Sequence, residues 1–376
     1  MTGKRQSTAP RMGIFLPSLE GGGVERVYTN LANRFVASGF AVDMILLWAR
    51  GPYLADLDAR IRVVDLGVRS KAQAIPALAR HLHRDPPEVL LSAMDIANVV
   101  ALIASRLSRR RIRLVVTCHI HFSAQTRQGR RFQDWALPWL ARLLYPGADR
   151  IVAVSRGVAV DLAKVLRLPE ERIEVIYNPI ALDTLCAKAA MHCEHPWLQE
   201  GEPPVLLSVG RLNAQKDYPT LFRAVAELRQ TRDLRLIVLG EGPERAALEQ
   251  LADDIGISDI LAMPGFVDNP FAYMRQAHLF VLSSRWEGFG LVIVEALACG
   301  CPVLSTDCPS GPGEILEGGK YGRLTPVGDA SQMAQAIEAS LDAPEDPEVL
   351  MARARDFELN RIARTYLETL GLDPAL

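Results

Sequence analysis

The chain has 376 residues, 49% of them hydrophobic, and a formal net charge of −2. That length suits two domains with sizeable cores, and no apolar run approaches the roughly 20 residues that a membrane-spanning helix needs. The six cysteines lack the paired spacing of a disulfide framework or zinc ribbon, and residues 1–10 are polar without the apolar core of a secretory signal, so a reduced, cytoplasmic setting is expected.

The first strand pattern covers residues 13–16. Gly21-Gly22-Gly23 follows, and a helix is expected from Val24 to residue 37. Glycines let backbone approach phosphate closely, and a helix start offers free N–H groups and the positive end of its dipole. Gly22 and Gly23 are therefore candidates to meet a diphosphate, although a plain strand-to-helix turn has the same pattern. Further strand patterns lie at 41–48, 62–66, 89–91, 114–118 and 150–154, with helical stretches such as 75–83 and 97–107 between them. This alternation implies a parallel sheet covered on both faces. Asp56-Leu57-Asp58 falls in a loop away from every other motif and reads as surface. His119 follows strand 114–118, where ligands meet such sheets; His121, two residues on, competes for the same role. Residues 1–180 carry a net charge of +11 and residues 181–376 one of −13. Arg106, Arg109, Arg110, Arg111 and Arg113 are grouped, and Arg127, Arg130 and Arg131 follow. A basic first half is expected to meet an anionic partner, a membrane surface or a lipid pyrophosphate. Nucleic acid is not expected, because the patches lack interleaved aromatics and no binding motif is present.

The Asn178-Pro179-Ile180 step marks a seam, since the residue before proline avoids helix. Residues 186–204 read as a polar linker; Cys186, His192, Cys193 and His195 within it match no common zinc spacing. The alternation then restarts, with strands at 204–209, 234–239, 260–263, 279–282 and 303–305. Arg211 and Lys216 follow the first of these, in Gly210-Arg211-Leu212-Asn213-Ala214-Gln215-Lys216-Asp217. An arginine fork and a mobile lysine suit phosphate oxygens. Gly265-Phe266-Val267 follows the third strand. After the fourth comes a glycine turn, Glu287-Gly288-Phe289-Gly290, leading into the apolar Leu291-Val292-Ile293-Val294-Glu295-Ala296-Leu297. That helix reads as buried, and a buried Glu295 needs partners. Two glutamates eight residues apart at a phosphate-binding turn suit a ligand that carries both phosphate and hydroxyls, such as a nucleotide sugar.

The run from Glu287 through Pro302 and Val303 resembles the signature of the retaining GT-B glycosyltransferases of family 4, a Glu, seven residues and a second Glu within E-G-F-G-x-x-x-x-E-A-x-A-x-G-x-P-V. Ser305-Thr306-Asp307-Cys308-Pro309-Ser310-Gly311-Pro312-Gly313-Glu314-Ile315 is similar to the bacterial subgroup that builds lipopolysaccharide, capsule and lipid-linked glycans. Gly22-Gly23-Val24-Glu25-Arg26 and Gly210-Arg211-Leu212 with Lys216 resemble two further family motifs.

The resemblance implies an α/β fold of two Rossmann-like doubly wound domains facing across a cleft that must close for reaction. The expected boundaries are 1–180, 181–356 and a terminal helical segment, 357–376, that returns to the first domain. It also implies the roles. Arg211 and Lys216 neutralise the leaving diphosphate near Gly22 and Gly23. Glu287 meets the transferred sugar and Glu295 the ribose hydroxyls. The main chains of Phe289, Gly290 and Leu291 contact sugar and phosphate, and Val267 lies by the base. His119 bonds a sugar hydroxyl or the acceptor; Ile120 stands where the family often has Asp or Asn. Glu287, His119, Lys216 and Arg211 are the expected catalytic set, with no metal and no cofactor. The expected reaction is retaining transfer of a hexose or N-acetylhexosamine, with UDP as carrier, to a lipid-linked or oligosaccharide acceptor at the inner face of the cytoplasmic membrane. One alternative is an inverting epimerase-like or phosphorylase-like GT-B enzyme; a phosphorylase would need a lysine placed for pyridoxal phosphate, and none is identified. A non-catalytic nucleotide-sugar-binding scaffold is the other alternative, against which Glu287, Glu295, Arg211 and Lys216 together weigh.

Overall fold

In the computed structural model, residues 10–70, 73–128 and 132–372 are described, the side chains of 127–128 and 132–136 excepted. Arg130, Arg131 and the Arg127 side chain of the basic segment therefore lie outside the described residues. The chain divides into two compact units: Met1–Pro179 together with Leu359–Leu376, and Ile180–Glu358.

The first unit is built on β1 (Arg11–Leu16), β2 (Ala41–Leu46), β3 (Arg62–Asp65), β4 (Val89–Ala93), β5 (Arg113–Cys118), β6 (Arg150–Ala153) and β7 (Ile173–Val175). Every pairing is parallel, in the order β3-β2-β1-β4-β5-β6-β7. The central strands β1, β4 and β5 are buried almost throughout, as expected of a parallel sheet covered on both faces. Edge strand β3 is largely exposed, and its Arg62 pairs with Asp43 of β2 at 2.8 Å. The helix Gly23–Ala37 turns Val27, Tyr28, Leu31 and Phe35 inward. The terminal helix Leu359–Leu370 belongs to this unit and packs on that first helix, burying Ile362, Tyr366, Leu367 and Leu370. It starts two residues later than expected from sequence. Phe357 closes a short turn of the second unit instead and meets Phe289 edge to face, with ring centroids 5.5 Å apart.

The second unit has β8 (Val205–Val209), β9 (Arg235–Leu239), β10 (Leu261–Gly265), β11 (Leu279–Leu282), β12 (Val303–Thr306) and β13 (Arg323–Thr325). They pair in parallel in the order β10-β9-β8-β11-β12-β13. Its core gathers Leu206, Phe222, Leu236, Val281 and Ile337 from strands and covering helices. The segment read as a polar linker is ordered: a helix, Leu182–Ala189, is followed by a short turn, Pro196–Leu198, that His195 caps through Nδ1. Cys193 is buried there and Cys186 exposed.

Both sheets reverse their order once, the first between β1 and β4, the second between β8 and β11. Loops leaving neighbouring strands in opposite directions open a crevice at such a point, where α/β sheets bind ligands.

Candidate active site

In the second unit, the loops after β8 and β11 meet at that reversal. Lys216 Nζ donates to Glu287 Oε1 at 2.6 Å, and both side chains are nearly buried, at 15% and 9% exposure. Ser284 Oγ donates to the same carboxylate oxygen at 2.7 Å. Ser284 is itself fixed, because its carbonyl accepts from Thr306 Oγ1 at 2.5 Å.

The two loops are stitched together by their backbones. Arg285 N–H donates to the Gln215 carbonyl at 2.8 Å, and Ser283 Oγ to the Lys216 carbonyl at 2.7 Å. Asp217, at a left-handed φ of 46°, accepts from Arg285 Nη2 at 3.0 Å and from Thr220 Oγ1 at 2.9 Å. Burial pushes the neighbouring Tyr218 hydroxyl upward, and it donates to the Gly210 carbonyl at 3.1 Å. Lys216 is thus a side chain whose backbone is held on both sides. Arg211, five residues earlier, is exposed and makes no ion pair among the described residues. It is a free cation on a fixed loop.

Gly290 lies immediately before the helix Leu291–Ala298, at a left-handed φ of 89°. Glycine takes that conformation without strain and aims the first N–H groups of the helix outward. Glu295 is buried inside this helix, at 5% exposure, among Ile293, Val294, Ala296 and Leu297. The loop after β12 closes over the same turn: Glu287 N–H donates to the Pro309 carbonyl at 3.2 Å. A side chain at Gly311 would collide with the Phe289 carbonyl. Beyond β10, Phe266 is 73% exposed and Val267 half-buried. The geometry therefore brings Lys216, Glu287 and the Gly290 turn together, with Arg211 and Val267 on loops at the same strand ends.

The first unit carries its own candidates. Gly21, Gly22 and Gly23 are exposed, with Gly22 immediately before the helix Gly23–Ala37. His119 is buried directly after β5, its Nε2 3.4 Å from the Tyr28 hydroxyl and its Nδ1 without a partner among the described residues. Burial pushes its imidazole down to about 3, so it is neutral. His121 is committed elsewhere. Its Nδ1 lies 3.3 Å from Asp161 Oδ2 and 3.2 Å from the Ala124 N–H, at the start of the helix Phe122–Gln128. Asp58 of the Asp-x-Asp pairs with Arg60 at 2.7 Å.

Ser284, Asp217 and Arg285 carry the support of the site and were not singled out from sequence. Serine and an arginine–aspartate pair are ordinary on any surface; only the fold brings them beneath Lys216 and Glu287.

Residues 21–184 match the family described as Glycosyltransferase Family 4, and residues 195–357 match Glycosyl transferases group 1. The N-acetylgalactosamine-N,N'-diacetylbacillosaminyl-diphospho-undecaprenol 4-alpha-N-acetylgalactosaminyltransferase of Campylobacter jejuni is 31% identical over 96% of this chain and 99% of its own. The lipopolysaccharide core biosynthesis glycosyltransferase LpsE of Rhizobium meliloti is 28% identical over 94% of this chain and 97% of its own. Among solved structures, Anabaena Alr3699/HepE in complex with UDP-glucose superposes with a TM-score of 0.80 over 96% of this chain and 99% of its own, at 21% identity.

Proposed function

The chain belongs to the GT-B glycosyltransferases of family 4, and on that footing we propose a specific reaction for it. It moves a hexose or N-acetylhexosamine from a UDP-sugar to a glycan or lipid-linked acceptor, retaining the anomeric configuration and needing no metal ion. The observation that carries this reading is the Lys216–Glu287 pair at 2.6 Å, set beside the Gly290 helix start at the sheet reversal. The choice of UDP rests on kinship: the HepE complex holds UDP-glucose, and the Campylobacter enzyme is named for transfer of N-acetylgalactosamine to a diphospho-undecaprenol glycan.

The chemistry follows from the groups present. An ammonium has three N–H donors. Glu287 takes one, and the others remain for the oxygens of a diphosphate. Arg211 adds a second cation, and the N–H groups after Gly290 a third source of positive potential. As the bond from the anomeric carbon to the phosphate oxygen breaks, its electron pair leaves with the diphosphate, and these groups stabilise the growing charge. The acceptor oxygen attacks from the face the diphosphate leaves, and its proton passes to a diphosphate oxygen. Glu287 holds hydroxyls of the transferred sugar, Glu295 those of the ribose, and Val267 lies by the base.

The same reading places the protein on the inner face of an anionic membrane, where lipid-linked acceptors reside. Its support is in the first unit. On the helix Phe132–Leu144, Trp139, Leu140 and Leu143 are 69%, 41% and 74% exposed on one face, with Arg142 over the Trp139 ring at 5.8 Å. Arg106, on the adjoining helix Asp95–Ser108, lies over Gly147 just beyond, and Arg109 and Arg111 are exposed. Aromatic and arginine side chains together suit a lipid headgroup layer.

Calorimetry with UDP, GDP and ADP in EDTA, on wild type and Glu295→Ala, tests the donor half. UDP should bind wild type without metal and bind the variant at least tenfold more weakly; no binding of any nucleotide by folded wild type would sink it. Flotation with phosphatidylglycerol and phosphatidylcholine vesicles tests the membrane half, and equal recovery with both lipids would end it.

A further inference from the structure

The segment Met351-Ala352-Arg353-Ala354-Arg355 reads as an ordinary charged helix end. Arg353 is nevertheless nearly buried, at 11% side-chain exposure. It lies on the helix Pro347–Ala354, which packs against the helix Leu291–Ala298 that follows the Gly290 turn. Burying a guanidinium is costly unless its donors are taken. Here its Nε donates to the Ile315 carbonyl at 2.9 Å and its Nη2 to the Glu314 carbonyl at 3.0 Å. Its Nη1 lies 2.9 Å from both Glu317 Oε1 and Asp356 Oδ2. Its Cζ lies over two rings, 4.9 Å from the Phe357 centroid and 5.3 Å from that of Tyr321.

These partners lead to the donor turn by two routes. Glu314 and Ile315 end the short helix Pro312–Ile315, and their carbonyls are among those that a helix end leaves open. The N–H groups of the same two residues donate to the Gly311 carbonyl, each at 2.9 Å. Gly311 in turn lies so close to the Phe289 carbonyl that no Cβ fits between them. The second route runs through rings: Phe357, under the guanidinium, meets Phe289 edge to face with centroids 5.5 Å apart. The main chain and the side chain of Phe289 are therefore each backed by an element that Arg353 grips. A planar fork can hold two adjacent carbonyls while stacking on a ring; the point charge of a lysine cannot.

We propose that Arg353 is a positioning residue for the donor: by fixing the Pro312–Ile315 helix and the Phe357 ring, it sets the Phe289–Gly290 main chain in place for the diphosphate. This rests on the glycosyltransferase reading above and adds a residue outside the set named there.

The test combines amide exchange of the ligand-free full chain with calorimetry using UDP. Arg353→Met keeps the apolar stem and loses every donor, while its acidic partners Glu317 and Asp356 are half exposed and stay hydrated. The reporter is the Glu287 N–H, bonded to the Pro309 carbonyl. In Arg353→Met, peptides covering residues 286–292 should exchange roughly tenfold faster than in wild type through local opening, and UDP should bind roughly tenfold more weakly. Arg353→Lys, a second variant should Met fail to fold, should recover part of each loss and not all of it. Ile337→Ala, a truncation in the same unit's core, is the control for lost stability alone: its melting temperature should fall while UDP affinity and exchange at the turn stay as in wild type. Wild-type exchange and affinity in either folded Arg353 variant overturns the proposal. Equal loss of UDP affinity in Arg353→Met and Ile337→Ala overturns it too, and makes Arg353 a stability residue. Failure of folded wild type to bind any nucleotide sinks the donor reading instead, and is recognised without any variant.

Discussion

Lys216 and Glu287 each serve a neighbour as well as each other. The ammonium donates to Glu287, and the carboxylate takes a second bond from Ser284. Removing the ammonium should therefore act on the departing charge more than on the resting complex. Lys216→Ala is expected to lower kcat by about 10²–10³-fold and to weaken UDP affinity far less; steady-state kinetics beside calorimetry separates the two, and equal losses would deny a transition-state role. Ser284→Ala leaves the pair in place but frees the carboxylate to turn, so a rise in donor KM larger than the fall in kcat is expected. Asp95 has a pH signature. An unfolded aspartate titrates near 3.8, whereas burial in the fold lifts Asp95 to about 7. Folding therefore favours the protonated form. The associated stability is complete below the lower value and is lost as pH rises through the window to the upper one. Asp95→Asn has no such titration, so its melting temperature should gain on wild type between about pH 4 and pH 8; a constant gap across that range would contradict the shift. Of these residues, Lys216 and Glu287 stood out in sequence because the motifs around them resemble those of the family, and the fold brings the two side chains together. Ser284 and Asp95 did not. A serine beside a strand end and an aspartate at a helix start are ordinary until the fold shows what surrounds them.

At the scale of elements, apolar runs were the legible feature and short or polar pieces were not. β1, β4, β5 and the central strands of the second sheet stand out because they are buried on both faces. β7 and β13 have three residues each, too few for a pattern to stand clear of loop composition. The helix Leu182–Ala189 was hidden in a stretch that reads as polar linker, since only Leu185 and Ala189 of it are buried. The loop after β12 illustrates how an element holds a site without touching the chemistry. Gly311 sits at φ 92° with the Phe289 carbonyl where a Cβ would go, so Gly311→Ala must move the turn that carries Glu287 and Gly290. Donor affinity should fall at least tenfold and the melting temperature should drop; retention of both would mean the loop can shift freely. The outward face of Phe132–Leu144 is an element with a different task. Trp139 and Leu143 are four positions apart and lie one turn apart on the same side, opposite the buried Ala141. Trp139→Ser with Leu143→Ser should reduce recovery with phosphatidylglycerol vesicles several-fold while UDP binding stays as in wild type. Unchanged recovery would leave the arginines alone as the attachment.

For the molecule as a whole, the chain order and the division into units differ, and this has a consequence. The second unit is one continuous stretch, Ile180–Glu358, while the first is completed by residues that follow it in sequence. The terminal helix is part of the first unit's core. It buries Ile362, Tyr366, Leu367 and Leu370, its Leu370 carbonyl accepts from Arg113 of β5, and Thr369 Oγ1 donates to Glu174 of β7 at 2.7 Å. Each fully buried large apolar side chain is worth about 1.5–3 kcal/mol, so the helix supplies a share of stability comparable with the whole of a typical domain, 5–15 kcal/mol. Ending the chain after Glu358 should therefore unfold or strongly weaken the basic first unit and spare the acidic second one. Differential scanning calorimetry of the full chain and the truncated chain would resolve this. The transition carried by the second unit, identified by the upward shift that saturating UDP gives it, should keep its temperature in the truncated chain, while the other transition is lost or moves down by many degrees. If the UDP-sensitive transition falls instead, the terminal helix supports the second unit, and the division described here is not the one by which the protein unfolds.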